Sequence, residues 1–370
     1  MQSGAWMAVQ QALGDDVVHE RGEGWRFSAV VHRGRGLRWL YAPYGPAIED
    51  PGRLGEAVAA VRDAGVALKA DFVRVEPDLE EGSAGLGRTG GAGGATGVGG
   101  GAGGATGVGG GAGGATGVGR GAAEVAGADE PGGRTVGAAS GPDAEGVLAG
   151  LKAVRVHSIQ PRHTLVIDLR RSEEELRGDM LSGRRRSINA AERKGIQVRR
   201  TRELGAVEEF IRLIRMTSRR NRFDAHPDSY YRTVCRVLFE RSAASVYLAE
   251  VGGQSVAGII AFESPTTGYY AHAADDPQRS RQIVAAAPLA WRIVLDCRAE
   301  GRSTFDFWGV IPDDDAEHPW AGFSRFKKSF GGRLVTRPGT FDLAIRPVRY
   351  RVYEAAREAR ARRTRRGVDA

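Results

Sequence analysis

Cysteine, aromatic residues and long apolar runs are all scarce in this 370-residue chain, and each scarcity removes a class of protein. The 2 cysteines, Cys235 and Cys297, can close at most one bridge. No disulfide framework can hold the fold, and a reduced, cytoplasmic protein is the simpler reading. No Cys/His pairs stand at ligand spacing, so no metal site is expected. The longest apolar stretches, such as 283–291 and 256–262, fall short of the about 18 residues that a spanning helix needs, so no transmembrane segment is expected. The N-terminus has no basic region followed by an apolar run, and thus no signal-peptide pattern. Aromatics make up 7% of the chain, too few for a wide basic surface interleaved with stacking rings. No Walker loop, Ser-His-Asp order or dinucleotide fingerprint stands out; the GxGxxG matches fall in a glycine tract with no strand-turn-helix around them.

Glycine, by contrast, is abundant and unevenly placed. Of 54 glycines, 28 lie in residues 82–146, and the unit GAGGATGVGG begins at Gly91 and Gly101 and recurs, closed by Arg120, from Gly111. Gly costs the most backbone entropy on ordering and these units offer almost no side chain to bury, so 82–146 reads as a flexible insertion without regular structure. The whole chain is 41% hydrophobic, and the part outside this tract is long enough for two cores. Net charge is +8, and residues 351–370 carry seven Arg against three acids. Nucleic acid, anionic lipid and phosphorylated small molecules all fit such a surface, as does a solvated helix face.

Apolar periodicity predicts strands at 28–31, 37–41 and 72–76 and helices at 53–64 and 144–154. A strand at 163–169, one helical stretch over 172–194 closed by Gly195, a strand at 197–200 and helices over 206–219 and 227–240 follow. The runs 244–251 and 255–262 flank Gly252-Gly253 as a hairpin. A strand near 268–273, an apolar helix over 282–299 and a strand at 304–309 complete the series. The succession predicts an α/β (α+β) protein, mixed sheets with helices on their faces.

Several short patterns occur in order. They are Gln2-Ser3 with Trp6; Tyr41-Ala42-Pro43-Tyr44-Gly45-Pro46; Ile159-Gln160-Pro161 with Thr164 and Ile167-Asp168-Leu169; and Arg185, Ile188, Ala191 and Gly195. Thr217, Arg220 and Phe223 then precede Tyr230-Tyr231. Asp306-Phe307-Trp308-Gly309 leads into His318-Pro319, Gly322, Phe326-Lys327 and Phe330-Gly331. Read alone, Pro43, Gly45 and Pro46 are turn residues, Trp6 and Phe330 are core, Gly195 ends a helix, and Asp306 is either a satisfied buried carboxylate or a site residue. Only one or two of Arg184, Arg185 and Arg186 can face inward. Lys327 lies among apolar residues, where an ammonium either snorkels to solvent or serves a purpose.

In this order the patterns resemble the FemABX family, tRNA-dependent aminoacyltransferases that build peptide bridges in bacterial peptidoglycan, in its armless, FemX-like form. The resemblance implies two GNAT-like acyltransferase domains, 1–170 (interrupted by 82–146) and 171–337, with a precursor cleft between them. A C-terminal strand and basic helix, 338–370, would return to the first domain. It implies aminoacyl-tRNA as donor, a UDP-linked or lipid-linked peptidoglycan precursor as acceptor, peripheral contact with the inner membrane face, and no cofactor. Lys327 becomes the catalytic cation that stabilises charge on the reacting ester. His226 with Tyr230, and Tyr270, would hold the precursor's phosphates and sugar, with Tyr44, Arg185 and Asp306 as further substrate-binding positions. His226 stands where relatives often carry arginine, and Gln10 where they carry lysine. The rivals are an acetyl-CoA-dependent N-acyltransferase on the same fold and an inactive basic binding protein. The first would need a pyrophosphate loop, for which only residues 278–282 stand in about the right place.

Overall fold

The computed structural model describes residues 1–34, 36–80, 144–279 and 284–368, with side chains as far as residue 359 other than that of Glu192. The glycine repeat, and the expectation attached to it, lie outside the described residues. Two compact units result: one from residues 1–80, 144–160 and 337 onward, the other from 161–336.

In the first unit Ser3 caps helix α1 (Gly4–Ala12), its Oγ accepting the Trp6 N–H at 3.2 Å, as N-cap hydroxyls do. Strands β1 (Asp16–Gly22), β2 (Trp25–Gly34), β3 (Leu37–Ala42), β5 (Phe72–Val75), β14 (Thr340–Ala344) and β6 (Val154–Val156) stand side by side in that order, and β4 (Ala47–Ile48) pairs with β2. Only β3 and β5 run parallel. Helix α2 (Leu54–Ala67) buries Leu54, Ala57, Val58 and Val61, the i, i+3, i+4, i+7 face, against Phe27, Leu40, Val73 and Phe341. Helix α3 (Ala144–Gly150) is shorter than the predicted 144–154: Lys152 takes a φ of 59° and the chain enters β6. Into the middle of this sheet the C-terminal β14 brings Asp342, whose carboxylate accepts two bonds from the buried Arg74 guanidinium at 2.6 and 2.8 Å. The following helix α10 (Pro347–Val368) lays Tyr350 and Tyr353 on Phe72.

The second unit has a sheet in the order β13 (Arg333–Thr336), β7 (His163–Asp168), β12 (Thr304–Gly309), β11 (Thr267–Asp275), β10 (Gln254–Glu263), β9 (Ala244–Val251), β8 (Gln197–Thr201), with only β11 and β12 parallel. Ala257, Ile259 and Ala261 of β10 join a cluster with helices α4 (Glu173–Asp179), α5 (Ser182–Arg193) and α8 (Ala286–Ala299). Gly258, pointing the other way, meets Phe210 and Leu213 of α6 (Leu204–Asn221), on which α7 (Asp228–Phe239) packs. Each unit is therefore a mixed sheet flanked by helices, as the fold-class reading expects.

One predicted helix is two. The stretch 172–194 breaks at Met180, whose ψ of 146° leaves the carbonyls at the end of α4 short of helical partners, with the Met180 N–H returning only to the Arg177 carbonyl at 3.3 Å. Arg185 supplies them: its guanidinium donates to the carbonyls of Arg177 (3.1 Å), Gly178 (3.3 Å) and Met180.

Candidate active site

Helix α9 (Ala321–Lys328) carries two adjacent lysines with opposite fates. Lys328 reaches outward to the 312–314 loop, donating to the carbonyl of Asp313 at 2.7 Å and to Asp314 Oδ1 at 3.0 Å. Lys327 points inward and is 3% exposed. Its Nζ donates to the Gly309 carbonyl at 2.7 Å, the one acceptor it has among the described residues, and lies 4.7 Å from the ring centre of Phe323 and 5.8 Å from that of Tyr270. Burial drives the Lys327 ammonium down to about 7, against which the Asp306 carboxylate pulls upward.

That carbonyl faces Lys327 because β12 is irregular there. Pairing with β7 shifts between Asp306 and Gly309, Trp308 takes a φ of 65°, and the Trp308 N–H is held by Asp306 Oδ1 at 2.7 Å. A side chain at Gly309 would stand 2.7 Å from Pro161 Cγ, which explains the glycine. The Asp306-Phe307-Trp308-Gly309 pattern is thus the bulge that aims a carbonyl at the amine, and buried Asp306 both fixes that bulge and adds a negative charge.

Of the remaining candidates in this unit, Tyr270 lies with Lys327. His226 and Tyr230 pack elsewhere. A second irregularity, between Ile260 and Ala261 of β10, pairs these residues with His272 and Tyr270, leaving Ala271 as the extra residue. Two positions that simple alternation would put on one face are thereby parted. Tyr270 packs on Phe307 in the cluster under α8, where burial pushes its phenol well up. His272 instead meets Tyr230, Tyr231 and Phe262 edge-on, beside the His226 ring stacked 3.9 Å from Tyr230. Burial holds His226 down to about 4 and His272 to about 3, so with no anion beside it His226 is an uncharged hydrogen-bonding group at neutral pH.

Arg185 is occupied by the end of α4, as above, while its neighbour Arg184 is available. The Arg184 guanidinium lies 4.5 Å over Phe326 and 4.9 Å over Phe330, donates Nε to Ser329 Oγ at 2.8 Å, and has no carboxylate partner among the described residues. Burial lowers it to about 10, with the Tyr270 phenol opposing. Sequence reasoning recognised that not all three arginines could face inward. It had no means of telling which one, since the break at Met180 sets the rotation of α5.

In the first unit Tyr44 has its ring 4.7 Å from the Arg337 guanidinium and its N–H on Glu76 Oε2 at 3.2 Å. Glu76, which sequence reasoning missed, is buried and also takes the Tyr41 hydroxyl (2.8 Å), the Gln160 N–H (3.0 Å) and the Thr340 hydroxyl (2.6 Å). Gln2 completes the loop, its amide bonding Ser28 and the Pro43 carbonyl. Three separate sequence patterns therefore meet on one carboxylate and one amide. Of the 278–282 segment that an acyl-CoA enzyme would need, residues 280–282 lie outside the described residues. Among the described residues no group of acidic, His and Cys side chains could hold a metal ion, and no helix is long and apolar enough to cross a membrane.

A model of the FemAB family matches residues 147–254 and 250–358. No curated protein sequence matches the chain. Among solved structures, it is similar to the crystal structure of FemX, with a TM-score of 0.70 at 16% identity over 95% of this chain and 93% of that one. It is also similar to the C-terminal DUF2156 domain of a putative lysylphosphatidylglycerol synthetase from Agrobacterium fabrum, with a TM-score of 0.51 at 12% identity over 92% and 87% of the two chains. L-PGS from Bacillus licheniformis gives a TM-score of 0.50 at 8% identity over 91% and 86%. These likenesses show the fold, whereas the family model matches more than half of the residues, and on that ground the chain belongs to the FemAB family, whose members are transferases.

Proposed function

We propose that the chain is a tRNA-dependent aminoacyltransferase that moves an amino acid from aminoacyl-tRNA onto the stem-peptide amine of a peptidoglycan precursor, in the cytoplasm and without a cofactor. The observation that carries this reading is the buried Lys327 amine, held by the Gly309 carbonyl beside the rings of Phe323 and Tyr270. In the reaction the acceptor nitrogen attacks the ester carbonyl carbon, the bond to the ribose oxygen breaks, an amide forms, and the proton lost by nitrogen ends on the ribose hydroxyl. Negative charge gathers on the carbonyl oxygen and then on the departing ribose oxygen. A fixed, buried cation stabilises both without reorganising, an effect usually worth a hundredfold or more in rate.

Arg184 supports the same reading as a second cation, partly desolvated over Phe326 and Phe330, suited to an anionic part of either substrate. Tyr270 would position substrate beside Lys327. The neutral His226 and Tyr230 are suited to hydrogen-bonding a sugar, and Tyr44 with Arg337 is a further substrate-binding position. The direct test is incubation with a mixture of charged tRNAs and a precursor pentapeptide, followed by mass spectrometry. Gain of one aminoacyl mass, abolished by RNase, supports the reading; gain of an acetyl mass from acetyl-CoA, or no product with any donor, refutes it.

A further inference from the structure

The first unit contains a cationic cavity that the proposed reaction does not use. Five positive side chains, Arg33, Arg38, Lys69, Arg346 and Arg349, line a space of about 380 Å³ with Asp71 at its base. It opens at the Leu37 end of β3, while the Tyr44 loop follows the other end, about 17 Å away at a strand's rise per residue.

The cavity is built. Asp71 is 2% exposed and organises its neighbours, accepting the Arg38 N–H at 2.8 Å and Arg349 Nε at 2.6 Å, with Arg346 at 3.6 Å. Arg349 also donates to the Gly36 carbonyl, and Arg38 to that of Leu68 at 2.7 Å. Lys69 is presented from a left-handed residue, with a φ of 56°, just past the end of α2. Arg33 has Asp16 at 2.6 Å, but Arg38 and Lys69 have no carboxylate partner among the described residues. One buried acid cannot neutralise this set. The space suits an anionic tetrahedral phosphate with its substituents directed outward.

Two features select the source of that group. No aromatic side chain lines the cavity, so it offers no platform for a nucleobase. The elements that carry its cations expose apolar side chains instead: Val348 is 73% and Val352 66% exposed, one turn apart at the start of α10, and Val66 near the end of α2 is 50% exposed. Cations around a phosphate-sized space, with exposed valines beside Arg349 on α10 and, on α2, just before Lys69, are suited to an anionic bilayer surface, where headgroups meet the charges and acyl chains the valines. We propose that this cavity seats the phosphate of an anionic phospholipid headgroup and docks the first unit on a membrane. The proposal does not depend on the aminoacyl-transfer reading.

The test is co-sedimentation of the full chain with vesicles of phosphatidylglycerol and phosphatidylcholine, compared with phosphatidylcholine alone and with a structured RNA. Binding should require phosphatidylglycerol and weaken with salt. Lys69→Gln with Arg38→Gln should reduce it about tenfold or more. Val348→Ser with Val352→Ser should reduce it without changing the salt slope. Lys69→Gln alone, at a side chain with no protein partner to lose, keeps the test valid if the double variant melts early. Inorganic phosphate should compete weakly. Equal loss from Arg21→Gln with Arg62→Gln, on exposed sites away from the cavity, would overturn the cavity in favour of diffuse charge. So would unchanged vesicle binding, or loss of RNA binding in its place. Transfer to a water-soluble precursor pentapeptide should be the same in all these variants, which separates failure here from failure of the proposed reaction.

Discussion

At Lys327, burial and charge pull in opposite directions, and the balance is measurable in two ways. The folded-state value of about 7 lies below the ordinary lysine value of 10.5. Between those limits the unfolded chain binds the extra proton, so stability rises with pH from about 7 to 10.5 and is lowest below 7. Lys327→Met should abolish that rise in a series of thermal melts while raising the melting temperature near pH 6. The same variant should lower kcat by on the order of a hundredfold at saturating aminoacyl-tRNA, and the wild-type rate should fall once the ammonium deprotonates above about 7. Full turnover in Lys327→Met with only a raised KM would make Lys327 a substrate anchor. The neighbouring arginines divide in the same manner: Arg184→Gln should raise KM several-fold with little change in melting, while Arg185→Gln should lower the melting temperature by removing the side-chain donor that three carbonyls share. In the first unit Glu76→Ala orphans four donors and should cost about 3 kcal/mol or more, read from denaturant midpoints. Lys327 could be found in the sequence because a lysine among phenylalanines is improbable without a role. Glu76 could not, because its four partners come from three distant stretches.

Among elements, most helices and strands were legible from period alone, and the misses have definite causes. The edge strand β1 is largely exposed and lacks alternation, so its pairing with β2 defines it, and α1 is a short helix marked only by its Ser3 cap. The split of 172–194 depends on Arg185 reaching back over a turn that no local pattern marks. The two bulges decide the site, since one aims the Gly309 carbonyl at Lys327 and the other parts Tyr270 from His272. Gly309→Ala should therefore damage both packing and the lysine's anchor, lowering stability and kcat together. Under α7, the neutral histidines give a separate signature. Their values of about 4 and 3 lie below the ordinary 6.5, so stability falls as pH drops from 6.5 towards 3. His272→Phe should flatten part of that acid limb in melts between pH 4 and 7.

For the whole molecule, net charge of +8 and the arginines of the last twenty residues make partner binding a matter of salt. If RNA is the donor's carrier, replacing Arg362, Arg363, Arg365 and Arg366 with Gln should flatten the fall of aminoacyl-tRNA affinity with salt, and an unchanged slope would remove this helix from the RNA surface. The sequence by itself determined the α/β class, the absence of a disulfide framework and the unusual position of Lys327. Each of these is a property of composition or of short-range periodicity, which a single chain segment carries intact. Only the tertiary structure decided that Arg184 and not Arg185 is the available cation, that Glu76 joins Tyr41, Gln160 and Thr340, and that five cations surround one cavity at the far end of β3. Those outcomes depend on bulges, helix breaks and pairings between residues as much as 313 positions apart, such as Gly36 with Arg349, and such contacts are fixed by packing of whole elements, not by any local stretch of sequence.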